Sequence, residues 1–279
     1  MPTTVQILGA TRLARGIVPY LLEGARAQVV AWDPGDEDET RPWFAPIRQL
    51  ARDNGIPLGR RDASLVLDLD PDSRPDWGQG VAVRVYAPAG APSPDVNRAL
   101  LTGGEWAMVV ADGGGRSGWS QAAIEVREDD DATALIERAT LRGLEAFAAS
   151  LENVLAGATA LPLPHALRSG RWRPQESFVL WEQPARRVVA RIRAASGPWG
   201  GARTHLGETP VWLEDAELVS EEPTPDHLPG TIVAVDSGIL VSTGRGIVRL
   251  GHLRPSWRPR RRAADYAAEV GASAGYQFA

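Results

Sequence analysis

Apolar and polar positions alternate between two rhythms along the first half of the chain. Val5-Gln6-Ile7-Leu8-Gly9 reads as a buried strand that ends on glycine. From Arg12 to Leu22 the apolar residues Leu13, Ile17, Tyr20 and Leu21 recur at helical spacing. Gln28 to Trp32 reads as a second strand. Strand, helix and strand within one short stretch predict a parallel α/β sheet. Phe44 to Asn54 is predicted helical, with Ile47, Leu50 and Ala51 on one face and Asn54-Gly55 as its stop. Leu65–Leu69, Val81–Tyr86 and Met108–Val110 are predicted strands, and a short helix is expected from Asp95 as its N-cap. Gly113-Gly114-Gly115 must be loop. A long helix is predicted from about Asp131 to Leu155, and Asp129-Asp130-Asp131 at its start complement the helix dipole.

The texture then changes. Residues 161–183 hold Pro162, Pro164, Gly170 and Pro174 with little periodicity, and are predicted to be a linker. Ala185–Ala194 is helical in pattern. Short strands separated by Gly and Pro follow: Pro210–Leu213, Ala216–Val219, Gly230–Val235, Gly238–Ser242 and Gly246–Leu250. Many short strands so punctuated predict a small β-barrel. The division expected is an α/β domain over 1–160, the linker, and a barrel domain over 184–279.

Composition narrows the chemistry. Apolar residues are 43% and charged residues 23%, as in a folded globular protein. No apolar run approaches the roughly 20 residues of a membrane span. Met1-Pro2-Thr3-Thr4 lacks the basic flank of a signal peptide, so a cytoplasmic location and no membrane partner are expected. There is no cysteine, which removes disulfides, thiolate catalysis and thiolate metal sites; no metal is expected. All 30 basic residues are arginine, so no lysine is present to form a Schiff base. Residues 1–160 hold 15 Arg against 23 acids, net −8, and the remainder hold 15 against 12, net +3. That asymmetry is far short of a dedicated nucleic-acid binder.

Several segments, in order, resemble the methionyl-tRNA formyltransferase family. Phe178-Val179-Leu180-Trp181-Glu182-Gln183-Pro184-Ala185, then Arg191-Ile192-Arg193-Ala194, then Pro198-Trp199-Gly200-Gly201-Ala202-Arg203-Thr204 are similar to its "IDW…PA…IRA…PYPGA.T" passage. Pro229-Gly230-Thr231-Ile232-Val233 resembles "PGTI", and Thr243-Gly244-Arg245-Gly246 resembles "T.DG". The ending from Arg261 to Phe278 is similar to the family's finish. The first domain matches more loosely, at Leu8-Gly9-Ala10-Thr11, Ala51–Pro57, Arg98–Glu105 and Asp130–Thr133. The resemblance implies a Rossmann-like formyltransferase domain with a parallel-rich sheet, followed by a small OB-like β-barrel domain. It also implies formyl transfer from a tetrahydrofolate derivative to an amine.

The family's chemistry uses an Asn and a His two residues apart, then an Asp. They stabilise a tetrahedral oxyanion and take a proton from the amine. Its Asn-x-His-Pro-Ser strip falls on Val81-Ala82-Val83-Arg84-Val85, and the Asp falls on Arg116. Val81, Val83 and Arg116 therefore stand at degenerate positions. No shift in alignment restores the histidine, because the four are His165, His205, His227 and His252. His165, in the Pro-rich linker, is expected to be exposed. Tyr86, Asp112 and Arg116 are the candidates for substitute catalysis. Gly9, Thr11, Arg84, Tyr86, Asn97, Asp112 and Gly114 are expected near a cleft at the carboxyl ends of the strands. An arginine in place of the aspartate turns a proton acceptor into an anion binder. The Gly113–Gly115 run could approach a phosphate through backbone N–H groups, although simple loop flexibility explains it as well. Arg258-Pro259-Arg260-Arg261-Arg262 could contact RNA, as the family's second domain does, or be a solvated turn.

Three functions stay open. One is an altered one-carbon or acyl transfer to a small-molecule amine or an aminoacyl or peptidyl ligand in specialised biosynthesis. Another is a non-catalytic protein that binds tRNA, a peptidyl ligand or a protein partner through its C-terminal domain. The third is a hydrolase or other amine-modifying enzyme using Tyr86 or Asp112. The chain is shorter than typical family members, and the missing length is expected between Arg61 and Val81, beside the cleft.

Overall fold

The computed structural model describes residues 3–9, 13–23, 27–34, 47–69, 81–86, 94–102, 105–112, 117–162, 174–224 and 226–279. The chain divides into two compact units. The first comprises Met1–Asp95, Gly104–Val126 and Leu135–Arg171. The second comprises Val96–Gly103, Arg127–Ala134 and Trp172–Ala279.

The first unit is built on a seven-stranded sheet. Its strands are β1 (Thr4–Leu8), β2 (Gln28–Asp33), β3 (Leu65–Asp68), β4 (Val81–Tyr86), β5 (Glu105–Asp112), β6 (Ser117–Glu125) and β7 (Leu161–Pro162). The spatial order is β2-β1-β3-β4-β5-β6-β7. β2, β1, β3 and β4 run parallel, and β5, β6 and β7 are joined antiparallel. The parallel strands are continuous apolar runs because both faces are covered: Val5, Ile7, Leu65, Val66 and Leu67 are all buried. Helix α1 (Ala14–Leu22) buries Ala14, Ile17, Val18 and Leu21, the one stripe that helical spacing puts on a single face. Helix α2 (Ile47–Asp53) ends at Asn54-Gly55 as expected. Helix α4 (Ala132–Leu155) buries Leu135, Ala139, Phe147 and Leu151, and Phe147 meets Tyr20 edge-on at 6.3 Å. Asp131 caps α4, its Oδ1 accepting from Ala134 N at 2.8 Å.

Helix α3 (Pro94–Thr102) already contains Asp95, so Asp95 is not the N-cap expected. Proline, pre-set in φ and without an N–H, opens the helix instead. Strand β6 had no counterpart among the predicted strands. Gln, Ser and Ala give it little strand character, and its pairing with β5 from Glu105↔Glu125 to Ala111↔Gly118 supplies the conformation.

The second unit packs helix α5 (Ala185–Ala194) against two four-stranded antiparallel sheets. One has the order β10 (Ala216–Ser220), β13 (Ile247–Leu250), β12 (Ile239–Ser242), β11 (Ile232–Val235). The other has the order β15 (Arg261–Arg262), β14 (His252–Pro255), β9 (Thr209–Leu213), β8 (Ala202–Leu206). Helix α6 (Ala263–Val270) follows. Strands β8, β14 and β15 add to those predicted. Inward residues of both sheets form one core with Val188, Val189 and Ile192 of α5. The C-terminal tail bridges the two sheets, Phe278 pairing with Leu206 and Gln277 with Thr231. Within the stretch read as linker, Val179 and Trp181 are buried in this core, and Val179 N donates to Arg203 O at 2.9 Å. Proline marks irregular backbone and says nothing of burial. Among the described residues no helix is long and apolar enough to cross a membrane.

Candidate functional site

In an open α/β sheet, ligands bind beyond the carboxyl ends of the parallel strands. The register lays out that edge. Leu8 pairs with Asp33 on one side and Asp68 on the other, and Asp68 pairs with Arg84. The row one step inside is Ile7, Leu67, Val83 and Asp112.

Val83, where the sequence reading expects the family's histidine, is 0% exposed. A buried valine side chain has no donor for an oxyanion and no site for a proton. Val81 is the first residue of β4, paired with Leu65 at the far end of the strand from the edge. Arg84 and Tyr86 occupy the carboxyl half of β4, with Tyr86 its last residue. Gly9 follows β1 with φ +92°, a conformation glycine adopts without steric cost. Its N–H donates to Asp33 O at 2.8 Å and its carbonyl accepts from Trp32 Nε1 at 2.9 Å. The Gly9 backbone is thus committed to closing the β1 turn, and its N–H is not available to a ligand.

Two of the expected cleft residues are placed by long-range pairing. Asp112 ends β5, which is antiparallel to β4, so the chain leaves Asp112 heading toward the amino ends of the parallel strands. The antiparallel turn in the sheet, which a strand pattern cannot reveal, is the reason. Asn97 is fully buried in the second unit, where its Nδ2 donates to Ala194 O at the end of α5. Thr11, Gly114, Arg116, the Gly113–Gly115 run and His165 lie outside the described residues.

One residue passed over in the sequence stands at the edge. Asp68, the last residue of β3, is 1% exposed. A carboxylate is rarely buried without a partner. The signal available was an aspartate closing an apolar run, Leu65-Val66-Leu67-Asp68.

The three described histidines do not converge. His205 exchanges backbone hydrogen bonds with Ala279, His227 N donates to Thr224 O, and His252 Nδ1 meets Asp215 Oδ2 at 2.7 Å. Among the described residues no group of three or more His, Asp or Glu could hold a metal ion. The arginines near the C-terminus are engaged with acids. Arg258 Nη1 donates to Glu269 Oε1 at 2.6 Å, Arg261 pairs with the same carboxylate, and Arg260 Nε lies 2.8 Å from Glu214 Oε2. On α5, burial pushes the Arg191 guanidinium below its ordinary pKa, while its Nη1 donates to Glu176 O at 2.7 Å.

The model of the formyl transferase C-terminal domain matches residues 171–270. The chain is 34% identical to a methionyl-tRNA formyltransferase of Halorhodospira halophila over 252 residues, covering 79% of this chain and 80% of the relative. A methionyl-tRNA formyltransferase of Mycobacterium marinum is 33% identical over 146 residues, 51% of this chain and 46% of its own length. Among solved structures, an N-formyltransferase from Helicobacter canadensis in complex with folinic acid and dTDP-3-aminofucose aligns with TM-score 0.67 at 13% identity, over 90% of this chain and 99% of that one. HypX from Aquifex aeolicus, in complex with tetrahydrofolic acid, aligns with TM-score 0.65 at 17% identity, over 96% of this chain and 47% of its own. The structural likenesses show a formyltransferase fold, with a parallel sheet and a C-terminal domain of antiparallel strands. By its identity to a full-length relative, the chain belongs to the methionyl-tRNA formyltransferase family.

Proposed function

We propose that this chain keeps the formyltransferase architecture but not the family's formyl-transfer chemistry, and carries a different one-carbon or acyl transfer to an amine. The sealed Val83 carries the reading. A transferring carbonyl needs a donor for its developing charge, and the amine needs a base. Neither is available from an apolar side chain inside the sheet.

A tetrahydrofolate derivative is the donor that the family implies. The described residues at the degenerate positions do not fit its transfer chemistry: Val81 is apolar at the start of β4, and Val83 is buried. No step is therefore derived through it. Its binding stays part of the proposal, supported by two solved structures of this fold that hold tetrahydrofolic acid and folinic acid. We read the C-terminal unit as a small OB-like barrel, supported by the tail that joins its two sheets, and the setting as cytoplasmic.

A second reading has its own support. The matching family model, residues 171–270, lies in the second unit, whose core is continuous. On that reading the protein is non-catalytic and binds tRNA or a protein partner there.

Calorimetry with 5-formyltetrahydrofolate, with turnover assays using methionyl-tRNA and amino-sugar nucleotides as amines, separates the readings. The altered-transfer reading expects folate or another acyl donor to bind, with no formylation of methionyl-tRNA above background. Efficient formylation of methionyl-tRNA would sink it. No donor binding and no turnover with any amine would leave the non-catalytic reading.

A further inference from the structure

For most of its length strand β6 has a strand partner on one side only. Along its inner side it pairs with β5 from Glu105↔Glu125 to Ala111↔Gly118. On the outer side, among the described residues, β7 pairs with Ser117 and Gly118 alone. Trp119 to Glu125 therefore form a sheet edge. An open edge is a template for a further strand, and proteins commonly blunt it with charged side chains or proline on the strand itself. Trp119-Ser120-Gln121-Ala122-Ala123-Ile124-Glu125 holds no proline and no basic residue, and its single acid is the last residue.

The cover comes from helix α4 instead. Alternate residues of an antiparallel strand turn both backbone groups to one side, so Ala123 and Glu125 share a side. Arg142 Nε donates to Ala123 O at 3.0 Å, and Arg138 Nη1 donates to Glu125 O at 2.8 Å. The two arginines stand four residues apart on α4, on one stripe of the helix. Glu145 Oε2 accepts from Arg142 Nη1 at 2.5 Å and holds that guanidinium in place. The face of β6 that carries Ser120 and Ile124 is the one tied to α4: Ile124 is buried, and Ser120 Oγ donates to Ala146 O at 2.6 Å. Toward the other end of the edge, Trp119 Nε1 donates to Ala158 O at 2.8 Å. All of these residues lie in the first unit. Both arginine-to-carbonyl bonds are exposed, and exposed charge contacts contribute little to global stability. Their effect is on what else can reach the edge. A further strand must come within about 4.8 Å and bond to the same carbonyls, and the two guanidinium groups occupy that approach.

We propose that Arg138 and Arg142 guard β6 against pairing edge to edge with β6 of a second copy of this chain. The strand suits that partner. In an antiparallel pair centred on Ala122, Glu125 of one copy faces Trp119 of the other, so no like charges meet.

Light scattering on the full chain, over a dilution series, tests the proposal. Arg138→Ala with Arg142→Ala is expected to raise the mass at high concentration to about twice the parent's, falling back on dilution. Alanine is the stronger helix former, so α4 is retained in that variant. Adding Ala123→Pro removes a backbone N–H from the outer edge and leaves the ladder to β5 in place, and it is expected to restore the parent's mass. Larger assemblies that Ala123→Pro reverses assign the contact to the same edge. A mass equal to the parent's in the alanine pair overturns the proposal, and so does association that Ala123→Pro leaves in place. The measurement needs neither donor nor amine, so this inference and the proposed function fail separately.

Discussion

Trp257 shows how one side chain can set its own cost. It is 100% exposed and carries φ +61°, in a turn where Arg258 N donates to Pro255 O at 3.1 Å. The left-handed region disfavours a residue with a Cβ, and full exposure leaves the indole nothing in its own chain to offset that strain. Trp257→Gly is therefore expected to stabilise the protein by about 1 kcal/mol and raise Tm by a few degrees. A variant that melts at or below the parent would show that the indole does hold the turn. Val83 gives the opposite case. The sequence led to the expectation that a valine, Val83, stands at the family's histidine position. That it is buried was not legible there, because burial depends on what packs over the face of the sheet onto which the side chain projects. Val83→His is expected to cost about 1–3 kcal/mol by burying an unpartnered imidazole, without restoring transfer. Urea unfolding and a formylation assay of the same variant check both halves.

Elements were legible where their pattern is local. The predicted and observed bounds of α5 coincide, and its buried residues Ala185, Val188, Val189 and Ile192 sit at helical spacing. In the first unit β6, which escaped the pattern, is held by its partner β5. In the second unit the hairpin β11–β12 turns on Asp236. Its Oδ1 accepts from Gly238 N at 2.9 Å, and Arg249 Nη2 lies 3.2 Å from its Oδ2. The Gly238 N–H, then Arg249, hold the Asp236 carboxyl below the usual carboxylate range. A depressed folded-state pKa means that the carboxylate's contribution is complete above its unfolded value of about 3.9 and fades as pH falls through the folded value. Asp236→Asn is expected to flatten the acid limb of a stability-versus-pH curve in that window and to leave its shape at neutral pH alone. An unchanged acid limb would assign the depression to another group.

At the scale of the whole molecule, the C-terminal tail joins the core of the second unit. Phe278 is buried with its ring 5.4 Å from Trp181, and its N–H donates to Gly230 O at 2.8 Å. Phe278→Ala is expected to cost about 3–5 kcal/mol, the range for emptying a buried aromatic site. Denaturant unfolding measures it, and a loss below about 1 kcal/mol would mean the tail is not part of the core.

The sequence by itself determined the parallel α/β start, the helix at Ala185–Ala194, the run of short strands after it, and the absence of any histidine before His165. Each depends on neighbours in the chain or on residue identity, and needs no third dimension. Tertiary structure alone decided that β5 runs antiparallel, so that Asp112 pairs with Val83, and that the Asn97 amide donates to Ala194 O at the end of α5. It alone drew Val96–Gly103 and Arg127–Ala134 into the second unit. These outcomes are set by pairing and burial between residues far apart in the chain, and a one-dimensional pattern holds no record of which distant partner a segment will meet.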